Sequence, residues 1–366
     1  MRLAWRNLTR DRGRLALSVA GVAVAIMLIL LLRGYLDGTY RQASAYFEET
    51  PGDLMVSQAG TSSGIGGSSK LPAGTERWVE ALPGVRSTLP VLLQGVVLDL
   101  HGRKQFTFAV GYDPARGGGP WRLASGREPR RDGEVVVDRL LAREHDLVIG
   151  DPVTILGREL ELVGTSDGTT FWIGTYAFMT RETLATLTGA PGATSFLFVS
   201  VADAADASEV ASRLAEVGGV NVLTKADIVA NQRRVIGRIY DAPLGLMVGI
   251  AFLVGVLTVG LVIYVATIER RQEYGVLKAI GGSAAVLYRV VVVQALIASL
   301  LGALLGVGLG YLGAAALMLI RPQFNIVIEP WVVGGSLLAS VLMALLAALI
   351  PSRAINRLAP SEVLRS

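Results

Sequence analysis

Four long apolar stretches divide this chain, and a long hydrophilic block separates the first stretch from the other three. The hydrocarbon core of a bilayer is about 30 Å thick, so an α-helix needs about 20 apolar residues to cross it. Each stretch is near that length, and none contains an acidic residue. This layout predicts one membrane span, a large domain outside the bilayer, and then three spans in quick succession. The stretches are Leu15–Leu32, Leu244–Ile268, Val290–Ile320 and Trp331–Ile350, and the block is Asp37–Asp241.

Basic residues gather in the short hydrophilic segments rather than in the long block. Residues 1–14, residues 269–289 and the residues after Ile350 are rich in Arg, whereas the block carries more acidic than basic residues. Cytoplasmic segments of membrane proteins are enriched in Lys and Arg. We therefore expect both termini and the 269–289 segment in the bacterial cytoplasm, the spans in the cytoplasmic (inner) membrane, and the block outside. The net charge of +4 reflects this topology, so it does not indicate a nucleic-acid partner.

Length and charge together divide the chain into successive segments. The first apolar run is longer than the core of a secretory signal and no small-residue cleavage site follows it, so we expect it to remain as a span. Residues 1–14 are either an amphipathic helix on the inner membrane surface or a basic flank that only sets topology. The expected segments are the cytoplasmic N-terminus at 1–14, the first span at 15–36, an extracytoplasmic domain with stalk helices at 37–241, the second span at 242–268, a cytoplasmic loop at 269–289, the third span at 290–320, a short outer loop at 321–330, the fourth span at 331–350 and a cytoplasmic tail at 351–366.

The block itself has the patterns of an α+β domain on a helical stalk. Helical spacing of apolar residues continues beyond the first span up to Pro51 and precedes the second span across 226–242, which predicts two stalk helices. Between them, strand–helix–strand units at both ends flank a β-rich middle, which predicts an α+β subdomain with a mostly β insertion. The predicted strands are Asp53–Ala59, Gly95–Leu100, Gln105–Gly111, Glu134–Asp138, Pro152–Leu156, Glu159–Gly164, Phe171–Met179, Ser195–Val201 and Val220–Thr224, and the predicted helices are Thr75–Leu82 and Ala207–Val217.

The sequence contains no recognisable catalytic or metal-binding cluster. The Gly- and Ser-rich stretch Gly60–Lys70 does not have the pattern of a phosphate-binding loop, because its Lys is followed by Leu71 and Pro72. The histidines, His101 and His145, have no second ligand at metal spacing, and the chain has no Cys. We therefore expect no catalytic site, metal or cofactor in this chain, and a membrane-anchored enzyme has little support.

The segment between the second and third apolar stretches carries the most informative motif. Glu269–Ser283 reads ERRQEYGVLKAIGGS, which is charged at its start, apolar at Val276, Leu277 and Ile280, and broken by a glycine pair. On physical grounds it is either an amphipathic helix that offers one face to a cytoplasmic partner or an ordinary connecting loop.

This motif, with the Gly-rich third stretch and the C-terminal PSRAINRLAPSEVLR, resembles the membrane subunits of FtsX/MacB-type ABC transporters. LPGV at Leu82–Val85 and GDPVTILGRELELVG at Gly150–Gly164 resemble the same family, whose branches include DevC, haem-exporter and lipoprotein-release permeases. The resemblance implies an integral membrane fold of four transmembrane α-helices plus a large α+β extracytoplasmic domain, with a porter-like subdomain, a β-rich insertion and a helical stalk. It also implies a cytoplasmic ABC ATPase that binds ATP and Mg, a second copy of this chain as a homodimer partner, and a periplasmic adaptor or substrate-delivery protein as a further candidate.

By the same resemblance, the segment after the second span is the coupling helix that contacts the ATPase. Its charged residues would make polar contacts and its glycines would shape the turn. The implied coupling residues are Glu269, Arg270, Arg271, Glu273, Gly275, Lys278, Gly281 and Gly282.

Two further sets of residues are candidates within the spans. Gly302, Gly306 and Gly310 recur every four residues on one face of the third span, and small residues let helices approach closely in lipid. They predict tight helix packing, either within the subunit or between two copies. An apolar substrate would contact the outer ends of the first two spans, although packing explains those residues equally well. The candidates for this contact are Met27, Leu31, Tyr35, Tyr240, Leu244 and Met247.

The leading functional hypothesis is a permease subunit that transmits cytoplasmic ATPase motion to the outer domain and so moves an amphiphilic substrate. Lipid, lipoprotein, haem, peptide and drug are the substrate classes considered. The spans contain almost no charged residues, which disfavours ions or sugars crossing through the helices. The alternative is an FtsX-like signalling subunit that activates a cell-wall hydrolase without transport.

Overall fold

The computed structural model describes residues 12–64, 69–100, 102–171, 174–202, 205–216, 218–269 and 284–356. The chain divides into two compact units. We call Met1–Gly38, Tyr240–Arg321 and Ile326–Ser366 the helical unit, and Thr39–Ile239 with Pro322–Asn325 the sheet unit. The expected N-terminal surface helix and C-terminal tail fall largely outside the described residues.

Within the described residues, four helices supply the helical unit, and each is long and apolar enough to cross a membrane. A helix satisfies its own backbone hydrogen bonds, which lipid cannot do, so continuous apolar runs of this length fold as helices. This confirms the four predicted transmembrane helices. They are α1 at Arg12–Glu49, α6 at Lys225–Glu269, α7 at Ala284–Ile320 and α8 at Pro330–Asn356.

The core of the helical unit forms around α1. Val22, Ile26 and Leu30 lie one helical turn apart and are completely buried. Val259 of α6 and Met343 of α8 are buried in the same cluster. The first span thus shares one apolar core with the other helices of the unit.

The sheet unit is an α/β domain built on a mostly antiparallel sheet, which confirms the predicted large domain of strands and helices. The order of the strands along the sheet is β11-β1-β10-β2-β3-β9-β5-β7-β4, while β6 pairs with β2 and β7, and β8 pairs with β9. The strands are β1 at Leu54–Gln58, β2 at Val85–Leu100, β3 at Arg103–Tyr112, β4 at Leu123–Gly126, β5 at Glu134–Asp138, β6 at Pro152–Ile155, β7 at Arg158–Ser166, β8 at Thr170–Phe171, β9 at Gly174–Thr180, β10 at Phe196–Val201 and β11 at Val220–Thr224. The short helices are α2 at Thr75–Glu80, α3 at Arg139–Glu144, α4 at Arg181–Leu187 and α5 at Ala207–Ala215.

The long strand β2 joins the two parts of this domain. Its first half, from Val85 to Val91, pairs with β10, and its second half, from Leu92 to Leu100, pairs with β3. The first half belongs to a subdomain with β1, β10, β11, α2 and α5 around one apolar cluster. The second half belongs to the insertion, where α3 and α4 cover another cluster.

Several details of the predicted secondary structure were wrong, and the short strand β4 was not predicted. The strand expected at Gly95–Leu100 begins ten residues earlier, at Val85, because Pro90 is accommodated within the strand rather than ending it. The single strand expected at Phe171–Met179 is a hairpin of β8 and β9. Helices α3 and α4 were not predicted, since each is short and begins at a side-chain cap, Asp138 or Thr180, rather than at a long amphipathic pattern.

The last turns of α1 are part of the sheet unit and are held there by aromatic side chains. Tyr46 is completely buried, and its ring stacks on that of Tyr176 with centroids 5.5 Å apart. Its hydroxyl donates a 3.0 Å hydrogen bond to the carbonyl oxygen of Gly118. The neighbouring Phe47 packs edge-on against Phe196 at 6.0 Å. This cluster fixes the end of α1 in the domain.

Candidate functional site

The predicted coupling residues follow directly from the end of α6. Glu269, the last residue of α6, is the member of this set that the structure describes. Its carboxylate accepts a hydrogen bond from the guanidinium of Arg14, near the start of α1. An ion pair therefore joins α1 and α6 at the start of the predicted coupling segment, Glu269–Ser283. The remaining predicted coupling residues lie outside the described residues: Arg270, Arg271, Glu273, Gly275, Lys278, Gly281 and Gly282.

The glycine stripe of α7 faces α1 of the same chain. A Cβ at Gly302 would lie 2.6 Å from the Cβ of Val22, and one at Gly306 would lie 2.7 Å from the carbonyl oxygen of Ala23. A Cβ at Gly310 would lie 3.0 Å from Leu30. The first two distances are shorter than any normal contact, so these glycines let the two helix backbones approach. The sequence left open which helix the stripe meets, and the structure places it within the subunit.

Helix α1 is equally close to α6, and α6 to α8. A Cβ at Gly21 of α1 would lie 2.3 Å from the methyl carbon of Thr258 in α6. About one turn earlier in α6, a Cβ at Gly255 would lie 2.8 Å from the sulfur of Met343 in α8. Sequence reasoning missed Thr258 and Met343, because neither stands out from the apolar residues around it.

The predicted substrate-contact residues differ in their surroundings. Tyr35 and Tyr240 lie close enough to interact electrostatically. Leu31, in contrast, is directed at α7, where a Cβ at Gly313 would lie 3.4 Å from its Cδ1. Met247 is 52% exposed on α6. Met27 and Leu244 complete the predicted set, and both are half-buried.

A polar cluster that the sequence only partly indicated lies at the start of α8. Arg33 and Asp37 are one turn apart on α1, and the Nε of Arg33 lies 3.9 Å from the Oδ2 of Asp37. The same guanidinium lies over the ring of Trp331, which the sequence did not connect to it. Next to Arg33, the backbone of α1 contacts the loop between α7 and α8, because Val327 N donates a 2.9 Å hydrogen bond to the carbonyl oxygen of Gly34.

Within the sheet unit, the most strongly perturbed carboxyl group is structural. Glu134 is 2% exposed and accepts two 2.7 Å bonds from Arg127, one at 2.9 Å from Arg131 and one from the backbone N–H of Arg130. These donors hold its pKa well below the usual range. The same hydrogen bonds close the segment between β4 and β5, so they account for this cluster without a ligand.

The sheet unit also has an open polar cleft of about 380 Å³ beside α2 and the start of β2. The guanidinium of Arg116 crosses it and donates to Glu76 at 2.9 Å and to Glu80 at 3.0 Å. Thr88 donates to the same Glu80 oxygen at 2.7 Å. The charged groups thus bond to one another and tie α2 to the loop after β3. Among the described residues, no group of His, Cys, Asp or Glu is arranged to hold a metal ion.

Family comparisons cover both units. The model of the MacB-like periplasmic core domain matches residues 15–217, more than half of the chain. The model of the FtsX-like permease C-terminal matches residues 245–360.

Curated relatives of this chain are ABC transporter permeases. An uncharacterized ABC transporter permease of Mycobacterium tuberculosis is 26% identical over 307 residues, which are 83% of this chain and 83% of that protein. The putative hemin transport system permease protein HrtB of Staphylococcus haemolyticus is 22% identical over 307 residues, again 83% of each chain. Among solved structures, the periplasmic region of MacB from Actinobacillus actinomycetemcomitans aligns with a TM-score of 0.39 at 11% identity, covering 50% of this chain and 94% of that one.

Proposed function

Because this chain belongs to the family of MacB-like and FtsX-like ABC transporter permeases, we propose that it is the permease subunit of an exporter or extractor of an amphiphilic substrate. As a permease of this family it is a multi-pass membrane protein that works with a partner ATPase subunit. ATP and Mg bind to that partner in this proposal. The termini and the coupling segment lie in the cytoplasm, and the sheet unit lies outside.

The observation that carries the proposal is the continuity of α1 and α6. Each helix contributes its apolar part to the helical unit and its other end to the sheet unit as one continuous helix, with one backbone hydrogen bond of α6 lost at Pro243. The ion pair between Arg14 and Glu269 joins these same two helices beside the coupling segment. A force applied by an ATPase to that segment therefore has two unbroken helices through which to reach the sheet unit.

The substrate class is proposed from the chemistry of the spans. Large apolar side chains, among them Leu246, Ile250 and Leu257, are exposed along α6, and lipid-like molecules can contact such a surface directly. The hemin transport function printed for one relative makes hemin a member of the class to test. Tyr35 and Tyr240, with Met247, remain the proposed contact residues.

Substrate-stimulated ATP hydrolysis tests this function. The chain would be reconstituted in nanodiscs with its ATPase, and turnover measured with hemin, a lipopeptide and a lipophilic drug. We expect at least one amphiphile to raise turnover severalfold. If no amphiphile changes turnover while a cell-wall hydrolase does, the transport proposal fails and the signalling alternative replaces it.

Charge reversal in the coupling segment tests the connection to the ATPase. We expect Arg271→Glu and Glu273→Arg to weaken ATPase binding while the protein still inserts into the membrane. Glu209→Arg is the matched control, because Glu209 is an exposed residue of α5 in the sheet unit. Normal binding and turnover in both coupling variants would remove these side chains from the proposed role.

A further inference from the structure

Two apolar side chains stand side by side on the surface of the sheet unit. Val97 and Phe106 are direct cross-strand partners in the β2–β3 hairpin, so they project from the same face. They are 45% and 43% exposed. Next along this face, Lys104 lies opposite Asp99, and Arg103 is exposed at the turn. We call Val97, Arg103, Lys104 and Phe106 the hairpin tip.

The ring of Phe106 is fixed in place rather than loosely exposed. It covers Gly95, where a Cβ would lie 3.2 Å from the ring, and it meets Phe108 edge-on at 5.1 Å. Phe108 in turn stacks on Phe171 at 5.6 Å. The exposed ring is therefore the outermost member of an aromatic row that continues into the core.

Hydrogen bonds within the sheet unit connect this region to the segment between the third and fourth spans. The amide nitrogen of Gln42 donates to the carbonyl oxygen of Thr170 at 3.2 Å and to that of Gln323 at 3.1 Å. Thr170 pairs with Thr175, and Thr175 pairs with Thr107, the neighbour of Phe106. Gln323 comes three residues after Ile320, the last residue of the apolar helix α7. Three residues span at most about 11 Å, so Gln323 lies within that distance of the end of α7.

The strand directions place the hairpin tip at the end of the sheet unit where α1 enters. Along α1, Gln42 contacts Thr170 at the start of the β8–β9 hairpin, and Tyr46, one turn later, stacks on Tyr176. Helix α1 and strand β9 therefore advance together, and β3 is parallel to β9. The residues before Thr107 in β3 accordingly lie toward the end of the sheet unit at which α1 enters.

From these contacts we infer that the hairpin tip rests on the bilayer, in the headgroup region of the leaflet that borders the sheet unit. Aromatic rings are favoured at the boundary between hydrocarbon and water. Basic side chains beside them attract anionic headgroups, each contributing about 1 kcal/mol near an anionic surface. Arg103 and Lys104 supply two positive charges against one negative charge from Asp99. This role goes beyond the proposed transport function and holds for any substrate.

Spin labelling of the full-length protein tests the inference, and the chain has no native Cys to remove. Phe106→Cys and, separately, Val97→Cys would carry a nitroxide in nanodiscs of phosphatidylcholine and phosphatidylglycerol. Accessibility to oxygen, which concentrates in lipid, would be compared with accessibility to a water-soluble nickel chelate. Ala115→Cys is the matched control, since Ala115 is exposed in the turn after β3, at the opposite end of that strand from the hairpin tip.

We expect oxygen accessibility to exceed that of the nickel chelate severalfold at positions 97 and 106, and the reverse at position 115. A nickel accessibility at 97 and 106 equal to that at 115 would overturn the inference. Low accessibility to both reagents would also overturn it, because a second copy or another protein would then cover the tip. Using both labelling positions guards against misfolding, because Val97→Cys leaves the Phe106 ring in place.

A second experiment tests the contribution of the basic side chains. Lys104→Glu, added to Val97→Cys, should reduce the oxygen preference in nanodiscs that contain phosphatidylglycerol and leave it unchanged in nanodiscs of phosphatidylcholine alone. An equal oxygen preference with Lys104 and with Lys104→Glu in the anionic nanodiscs would overturn recognition of headgroup charge.

Discussion

The guanidinium carbon of Arg33 lies 5.0 Å from the centroid of the Trp331 ring. Arg33 is near the end of the apolar part of α1 and Trp331 is the second residue of α8. Trp and Arg are both common where spans leave the hydrocarbon, and the face of an indole attracts a cation. The pair thus connects the first and last helices of the helical unit at one of their ends.

Removing that ring should weaken the helical unit modestly. We expect Trp331→Leu to lower the free energy of unfolding by about 1 kcal/mol, because Leu retains apolar bulk but loses the cation–π attraction. Thermal unfolding in detergent, followed by size-exclusion chromatography of the remaining folded protein, measures the change. Trp331→Phe, which keeps an aromatic face, should lie between Leu and the native protein. Equal stability of the Leu variant and the native protein would show that the pair contributes nothing.

Because only some glycines of α7 lie against α1, we expect the effect of a Gly→Ala substitution on stability to depend strongly on its position in α7. Gly306→Ala places a Cβ 2.7 Å from the backbone oxygen of Ala23, and such overpacking typically costs about 1–3 kcal/mol. Gly308→Ala is the control, because no atom lies within 4 Å of its hypothetical Cβ and Ala is the better helix former. Thermal stability should fall for the first variant and stay level or rise for the second. Equal effects would argue against the α1–α7 packing described here.

Two substitutions of Tyr46, the aromatic anchor at the end of α1, distinguish packing by its ring from hydrogen bonding by its hydroxyl. Tyr46→Ala removes a completely buried ring and should cost roughly 3–5 kcal/mol. Tyr46→Phe keeps the ring and loses only the bond to Gly118, which should cost about 1 kcal/mol. Hydrogen exchange of the β9 and β10 amides would report both changes. Similar exchange in the two variants would contradict a packing role for the ring.

The buried carboxylate of Glu134 predicts a loss of stability in acid. Its pKa is lower in the folded protein than in the unfolded chain, where a Glu titrates near about 4.3. Its contribution is therefore complete above that pH and is lost as the pH falls from there toward the folded pKa. Glu134→Gln should cost about 2 kcal/mol at neutral pH, below the usual 3–5 kcal/mol for a buried pair, because its Arg partners are partly exposed.

Unfolding measured between neutral pH and about pH 3 checks this sign, since the native protein and the Gln variant should converge in acid. Glu209→Gln is the control. It breaks an exposed pair with Arg213 and should cost only about 0.3–0.5 kcal/mol. A constant difference between Glu134→Gln and the native protein across this range would exclude Glu134 as a source of the pH dependence.

The ion pair between Arg14 and Glu269 can be separated from direct contact with the ATPase by exchanging the charges. Glu269→Arg should reduce ATPase stimulation, because it places two cations together at the ends of α1 and α6. The double variant Arg14→Glu with Glu269→Arg should recover most of the lost stimulation, measured as turnover in nanodiscs. Without recovery, the Glu269 carboxylate would have to act on the partner itself.

Much of the fold follows from patterns that the sequence displays openly. Length and hydropathy predict spans such as Val290–Ile320. The stalk helices are predicted by the helical spacing of apolar residues, which continues beyond the spans. The β2 strand was predicted only in its second half, because Pro90 resembles a strand terminator and its tolerance depends on the pairing with β10. The α7 glycine stripe predicted a close contact. Which helix it contacts is decided by tertiary packing, and the pattern of one helix does not show that.

The candidate site was less predictable for a physical reason. Charge and resemblance indicated Glu269, but the partner of its carboxylate, Arg14, lies at the opposite end of the sequence. Similarly, Trp331 was identified only as the start of a span. Contacts between residues distant in sequence are set by how helices pack, and they leave no local signature.

One consequence of the uninterrupted α1 concerns rotational phase. The residues that meet the α7 glycines, Val22 and Ile26, and the anchor Tyr46 all lie on a single helix. Each residue of an α-helix turns the chain by about 100°. One residue inserted between Gly34 and Tyr46 would therefore turn the direction of the anchor by about 100° relative to the side chains that meet the glycines. The polar stretch between them sets this phase as well as the distance along the helix.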